Sequence, residues 1–137
     1  PGCWYLHAGS PAVFEGYSVA GAHASIPVRS VTQTSKFFTD ARGWVAHIHG
    51  GMVFLRVFPD LAVDQMAPRQ AELELFFGIE RDYIELENQG AYQVLEWGES
   101  LTYDVEWRFG TVDPDLPTDR VTPELLAAIL ALLVLTP

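Results

Sequence analysis

Residues 44–58 read WVAHIHGGMVFLRVF, and this stretch decides the fold. Two runs of β-branched and aromatic residues, 44–49 and 52–58, are typical of neighbouring strands. Between them lies Gly50-Gly51, and glycine adopts the positive φ angles that a two-residue type I′ turn requires. The stretch therefore predicts a tight antiparallel hairpin.

The short turn also fixes which side chains share a face of this hairpin. His49 is expected opposite Met52, and His47 opposite Phe54, because side chains alternate along a strand. The opposite face of the hairpin is wholly apolar and is predicted to lie in the core. The two imidazoles are therefore predicted to lie on the floor of a cleft.

Three more strands are predicted downstream, over 71–77, 83–89 and 101–109, with glycines at or near their ends. The last one alternates, and its apolar residues are expected to point inward: Leu101, Tyr103, Val105, Trp107 and Phe109. Its polar residues are expected to point outward: Thr102, Asp104, Glu106 and Arg108. Short strands separated by turns indicate an all-β fold, a single antiparallel β-sandwich or cupin-like jelly roll.

The C-terminal tail differs from the rest of the chain. Thr122 is a suitable N-cap and Pro123 a suitable first helical residue, and eleven apolar residues follow, from Leu125 to Leu135. Because about 20 residues are needed to cross a bilayer, no membrane span is expected. The chain is divided into a β-sandwich domain, 1–120, and an apolar tail, 121–137. A helix that is apolar on all sides must pack against the domain or a second chain, so a homodimer is expected.

Composition limits the possible functions. The chain has 137 residues, 49% of them hydrophobic, and a formal net charge of −10, which argues against binding to nucleic acid. Cys3 is the single cysteine, so an intrachain disulfide and a multi-cysteine zinc site are excluded. The sequence begins at Pro1 instead of methionine, which is compatible with removal of a leader; the location stays open, and secretion is the interpretation that this start favours.

The spacing of His47 and His49 suggests a metal site, because side chains at i and i+2 project from the same face of a strand. Imidazole suits copper, zinc, iron and nickel. The pair is equally compatible with two polar residues near a hairpin tip. A third ligand would come from another strand, and Glu74 and Gln89 are the preferred choices. The wider set of candidates also includes Glu72, Glu87 and His23.

Carboxylates and aromatic residues offer a second kind of chemistry. Glu74 and Glu87 are the predicted catalytic carboxylates, and Glu85 shares a face with Glu87, so that each can raise the pKa of the other. Alternating polar residues on a half-exposed strand explain the same pattern, and Glu74 could simply be solvated. Tyr92 and Trp97 could stack on sugar rings, as could Trp107, although Trp107 is expected in the core.

Residues 43–109 carry a family resemblance. The segments 72–76 (ELELF) and 83–90 (YIELENQG), together with the turn Gly98-Glu99-Ser100, resemble the C-terminal half of an uncharacterised bacterial β-sandwich family related to galactose mutarotases. The resemblance implies a concave, saccharide-binding face with carboxylates at the positions of Glu74, Glu85 and Glu87. In architecture and ligand spacing, the chain also resembles small cupin-like copper proteins that cleave cellulose oxidatively.

Three functions follow as expectations. The first is a copper-dependent oxidative enzyme acting on a polysaccharide such as cellulose, with His47 and His49 holding the ion. The second is a metal-free carbohydrate-binding or mutarotase-like sandwich that uses its Glu carboxylates. The third is a structural interaction module that dimerises through the apolar tail. The expected partner in the first two cases is a polysaccharide or oligosaccharide.

Overall fold

The computed structural model describes residues 4–7, 17–28, 31, 34–78 and 83–134. The strands are β1 (Trp4–His7), β2 (Ser18–Ala20), β3 (His23–Ser25), β4 (Ser35–Thr39), β5 (Trp44–His49), β6 (Met52–Val57), β7 (Leu73–Gly78), β8 (Tyr83–Asn88) and β9 (Glu106–Thr111), followed by helix α1 (Pro123–Val134). Every strand pairing is antiparallel, which confirms the predicted all-β class with a short C-terminal helix and is consistent with a β-sandwich.

The strands form three sheets. One sheet has four strands in the order β1-β4-β7-β8, one pairs β2 with β3, and one has the order β5-β6-β9. One face of the four-stranded sheet packs an apolar cluster around Phe37 and Phe77, to which Ile26, Leu75 and Ile84 add partly buried side chains. In the described part of the chain, no helix is long and apolar enough to cross a membrane.

The predicted hairpin is confirmed in its turn and its register. Gly50 and Gly51 both have positive φ angles, 55° and 77°. His47 pairs with Phe54 and His49 with Met52. The predicted apolar face is also confirmed, because its side chains belong to the cluster that packs against α1. This face is therefore core, and the two histidines lie on the opposite one.

Helix α1 covers the core face of the three-stranded sheet. The predicted N-cap is confirmed, because Thr122 Oγ1 accepts a hydrogen bond from the Leu125 N–H at 3.2 Å. Leu125 and Ile129 are buried in this cluster. Leu130 and Val134 are the large apolar residues of the helix that stay exposed. Because the helix packs on its own domain, the tail gives less reason to expect a dimer than its sequence suggests.

The last predicted strand is wrong in its position and in its faces. Strand β9 covers Glu106–Thr111, whereas the prediction was 101–109. Trp107 and Phe109, expected inside, are 62% and 66% exposed. They share the face of the two histidines, because Phe109 pairs with Phe54.

The helix explains why the faces of β9 are exchanged. Arg108, expected outside, faces α1 and donates from Nη1 to the carbonyl oxygens of Leu132 (2.8 Å) and Leu133 (2.6 Å). Carbonyl groups in the last turn of a helix have no partner within the helix, so a guanidinium group opposite them is stabilising. On the same face of β9, Gly110 leaves the space that the Leu132 side chain fills. Packing of the helix therefore decides which face of this strand is buried.

Candidate functional site

The candidate site is the sheet face that carries the histidine pair. We call it the histidine–aromatic face, and it consists of six residues from β5, β6 and β9: His47, His49, Met52, Phe54, Trp107 and Phe109. They come together because cross-strand partners in antiparallel sheets project to the same side. The hairpin thus supplies four of these side chains and β9 supplies two.

The aromatic rings of this face pack on one another. Phe54 stacks on Phe109, with ring centroids 5.0 Å apart and planes at 13°. The Trp107 ring meets Phe54 edge to face, at 5.4 Å and 78°. Both geometries are favourable for aromatic pairs. Ring packing holds Trp107 and Phe109 in place although more than half of each residue is exposed.

Arg56 lies in β6 directly opposite Trp107 of β9 and contacts both Trp107 and the four-stranded sheet. Its guanidinium carbon lies 5.9 Å from the centroid of the Trp107 ring, a cation–π contact. Its Nη1 donates to the carbonyl oxygen of Leu86 in β8. Burial lowers the pKa of Arg56, and the nearby Tyr103 counteracts this. Arg56 thus links the two larger sheets and backs one end of the aromatic row.

A cavity of about 180 Å³ opens beside the histidines. Its lining residues are His47, His49, Met52, Val53, Phe54 and Phe109. A water molecule occupies about 30 Å³ in the liquid, so the cavity can accept an ion with its water ligands or one small chemical group. The walls combine two imidazoles with apolar side chains.

The electrostatics of His47 follow from its position on this face. Burial lowers the pKa of His47, and the proximity of His49 lowers it further. The lowered pKa favours the neutral His47 imidazole, in which one ring nitrogen can accept a hydrogen bond or bind a metal ion. The arrangement is therefore suited to metal coordination or to hydrogen bonding with a neutral ligand.

The predicted carboxylates lie on the other large sheet. Glu74 in β7 pairs directly with Glu87 in β8, and Glu85 lies one pleat further along on the same side. Glu74 is only 4% exposed and forms an ion pair with Lys36 of β4. It is therefore not a solvated surface residue. We call this second group, Lys36, Glu74, Glu85 and Glu87, the carboxylate face.

Charges within the carboxylate face affect one another. Burial, the charge of Glu74 and contact with Glu85 together raise the pKa of Glu87, whereas Lys36 lowers it. The same carboxylates, with Glu74 first, raise the pKa of Lys36. The ammonium group of Lys36 also lies 5.6 Å from the ring centroid of Phe76. Lys36 is thus already engaged by groups of its own sheet.

The remaining predicted ligands are also engaged elsewhere. Gln89, directly after β8, donates from its backbone N–H to the Glu72 carbonyl oxygen at 2.8 Å. Its side-chain Nε2 donates a hydrogen bond to the Gln70 Oε1 atom at 3.5 Å. The His23 ring lies 5.8 Å from Trp44, whose side chain belongs to the helix-covered face. Within the described ranges, the cavity lining includes neither Gln89 nor His23, and neither of the predicted catalytic carboxylates.

A group of three carboxylates escaped the sequence analysis. Oxygen atoms of Asp40, Asp60 and Glu72 all lie within 4.8 Å of one another. Glu72 is completely buried, however, and its oxygens accept backbone N–H bonds from three residues: Ala41 (3.0 Å), Gly43 (3.4 Å) and Leu61 (3.1 Å). Burial raises the pKa of Glu72, although the hydrogen bonds from Leu61 and Gly43 lower it. Glu72 thus tethers two chain segments, which is a structural role.

The exposed aromatic residues of the face were the main feature that sequence reasoning missed. Trp107 and Phe109 were assigned to the core because they alternate with charged residues. Gly110 was a usable signal, since a glycine on the Arg108 side of the strand permits close packing there. Tyr92 and Trp97, in the loop between β8 and β9, are also exposed, and Trp97 is fully so.

Comparison with known proteins gave no relatives: no family model, no curated protein and no solved structure matches this chain.

Proposed function

We propose that the histidine–aromatic face binds a saccharide. The observation that carries the proposal is the row of packed rings, Phe54, Phe109 and Trp107, of which two are more than half exposed. Exposed apolar patches in soluble proteins mark interaction sites, and the C–H faces of a sugar ring stack on aromatic rings. The adjacent imidazoles supply hydrogen-bonding groups that a purely apolar partner would leave unsatisfied.

Saccharide binding is tested with soluble cello-oligosaccharides and insoluble cellulose. We expect wild-type protein to bind and Trp107→Ala to bind about two- to tenfold more weakly, because an aromatic contact contributes ~0.5–1.5 kcal/mol. Trp97→Ala is the matched control, since Trp97 lies on the β8–β9 loop. Equal affinity of wild type and Trp107→Ala would exclude this face. A loss with Trp97→Ala alone would move the saccharide site to the loop.

We further propose that His47 and His49 hold a transition-metal ion, with copper preferred, and that the protein is an oxidative enzyme acting on polysaccharide. Two imidazoles on one side of a strand, one of them with a pKa lowered by burial, support this assignment. Copper would supply one-electron chemistry toward oxygen or peroxide. The chain's own residues would hold the ion beside the rings and keep a bound sugar in position.

The metal proposal is tested by elemental analysis of protein purified without a His tag. A stoichiometric transition metal supports it, and affinity is then measured by titration of the metal-free protein. Protein that contains no such metal and binds none on titration would exclude the copper enzyme. Saccharide binding would then stand alone as the function.

A metal-free, mutarotase-like activity is a second candidate because the carboxylate face carries a suitable acid. Burial and neighbouring carboxylates raise the pKa of Glu87, which favours its proton-donating form, and the adjacent Glu74 pairs with Lys36. Sugar isomerisation needs such an acid and a base. The test is the rate of interconversion of sugar anomers by wild type and Glu87→Gln. An unchanged rate in the variant would exclude this candidate.

A further inference from the structure

The edge strand that carries the histidines is open for pairing. Strand β5 is the outer strand of its sheet, with β6 as its neighbour. The N–H of Phe58 donates to the Gly43 carbonyl oxygen at 2.9 Å, so position 43 belongs to a hydrogen-bonded pair. Such pairs alternate along an antiparallel ladder. Trp44, Ala46 and Ile48 must therefore direct their N–H and C=O groups away from β6, toward the outer edge.

Nothing in the described part of the chain covers this edge with a backbone hydrogen bond. The strand also lacks the usual protection of an edge, because residues 44–49 contain neither lysine nor proline and no residue that is charged when histidine is neutral. In a chain of net charge −10, such a segment is one along which two copies can approach without direct repulsion. Unprotected edges of this kind pair with other strands.

The histidine pair, in turn, is an incomplete set of ligands. Structural zinc sites have four protein ligands and catalytic sites have three. Among the described residues, the group of at least three potential ligands that comes together is Asp40, Asp60 and Glu72, which excludes both histidines. One chain therefore offers half of a metal site, placed on an open edge.

We propose that two copies of the chain pair antiparallel through β5 and that their histidines together complete one metal site. The outward-pointing groups permit a register in which Ala46 of one copy exchanges hydrogen bonds with Ile48 of the other, on both sides of a twofold axis, and this is the register that brings the histidines together. His47 then lies opposite its own counterpart at a position without hydrogen bonds, where side chains are closest. This inference rests on the proposed metal site.

The resulting spacing suits coordination. Side chains directly opposite one another have Cβ atoms ~4.5–5.5 Å apart, and diagonal neighbours are ~7–8 Å apart, within reach of long side chains. The two copies of His47 can therefore bind one ion, and His49 of each copy lies diagonally beside it. The edge itself is uncharged, but each chain carries a net charge of −10, so we expect dimerisation to depend on the ion.

The test measures the molar mass and the metal content of untagged protein with and without Zn²⁺, which is redox-silent. We expect metal-free monomers, and a doubled mass with one zinc ion per two chains once Zn²⁺ is added. Ala46→Pro removes an outward N–H without removing a hydrogen bond to β6. This variant should stay monomeric and should bind zinc with lower affinity than the wild type does. Val45→Lys, a charge on the same edge, is a second variant in case the proline disturbs folding.

The opposite edge of the sheet provides the matched control. The Val112 N–H donates to the Gly51 carbonyl oxygen at 2.8 Å, so by the same alternation Thr111 directs its N–H outward from β9. Thr111→Pro should therefore dimerise like wild type. Zinc bound one-to-one by a monomer would overturn the shared site and leave the metal proposal intact, whereas binding of neither Zn²⁺ nor Cu²⁺ would overturn both. Zinc-driven dimers of Ala46→Pro and Val45→Lys would also overturn it.

Discussion

The histidine–aromatic face and the carboxylate face both arise from antiparallel strand register, but they differ in how far their side chains are exposed. In each, antiparallel register brings chemically similar side chains of neighbouring strands to one side of a sheet. On the first face, Trp107 and Phe109 are more than half exposed and a cavity opens beside the imidazoles. On the second, Glu74 is buried against Lys36. The first face can therefore receive a ligand beside its imidazoles, whereas on the second the Glu74 carboxylate is already paired within its own sheet.

The difference teaches that a cluster of reactive side chains is not by itself a site. Glu72 is the clearest case, since its carboxylate lies near two aspartates but accepts three backbone N–H groups. A buried carboxylate that accepts three backbone N–H groups fixes the chain segments around it and is unavailable to a ligand. We therefore expect substitutions to separate the faces, with ligand-binding effects on one and stability effects on the other.

The largest expected effect is on metal affinity. His47→Ala and His49→Ala should each weaken copper binding by two to three orders of magnitude, since even loss of a residue that supports a metal ligand costs ~10–100-fold. Glu74→Gln and Gln89→Ala should leave the affinity unchanged, because these residues do not line the cavity. Titration of metal-free protein measures all four. A loss with Glu74→Gln as large as with His47→Ala would break the distinction between the faces.

The next largest effect is on stability, at Glu72. Glu72→Ala should lower the free energy of unfolding by about 3 kcal/mol, because three N–H groups lose their acceptor and each unsatisfied group costs ~1–3 kcal/mol. Asp104→Ala, on an exposed residue, is the control and should change stability by less than ~0.5 kcal/mol. Urea denaturation measures both. Full stability of the Glu72 variant would reopen the acidic group as a ligand site.

A smaller loss of stability is expected from substitutions in the Gly50-Gly51 turn, which joins the two strands of the hairpin that carries the histidines. Gly50 has a φ of 55° and open space around it, so a substitution there costs backbone strain alone. Gly50→Val should lose about 1–2 kcal/mol, the cost of the left-handed conformation, while Gly50→Asn should be nearly neutral. Thermal unfolding compares the two variants. If Gly50→Val left the stability unchanged, the turn would not fix the register of the histidines.

The smallest effect concerns pH and the carboxylate face. Because the pKa of Glu87 is raised on folding, the folded chain retains a proton that the unfolded chain has released. The contribution of Glu87 to stability is therefore fully present below the unfolded pKa and is lost as pH rises through the folded one. Glu87→Gln should match wild type near pH 4 and exceed it at pH 7. The free energy of unfolding of both proteins is measured by denaturation at several pH values. A difference between variant and wild type that is the same at all pH values would contradict this coupling.

The hairpin and its consequences could be predicted from residues 44–58 alone. A Gly-Gly pair between two strand-forming runs sets a local register, and local register decides that His47 and His49 share a face and that the opposite face is apolar. The start of α1 was equally local, because Thr122 caps a helix that begins at Pro123. These features depend only on residues that lie close together in the sequence, so the sequence alone is sufficient to predict them.

The tertiary structure alone decided which clusters are open. Strand β9 alternates like a buried strand, but the carbonyl groups at the end of α1 draw Arg108 inward and leave Trp107 and Phe109 outside. Likewise, alternation places Glu74 beside Glu87, but contact with Lys36 of a distant strand determines that Glu74 is paired and buried. Burial is a property of what packs against a face, and that partner lies far away along the chain.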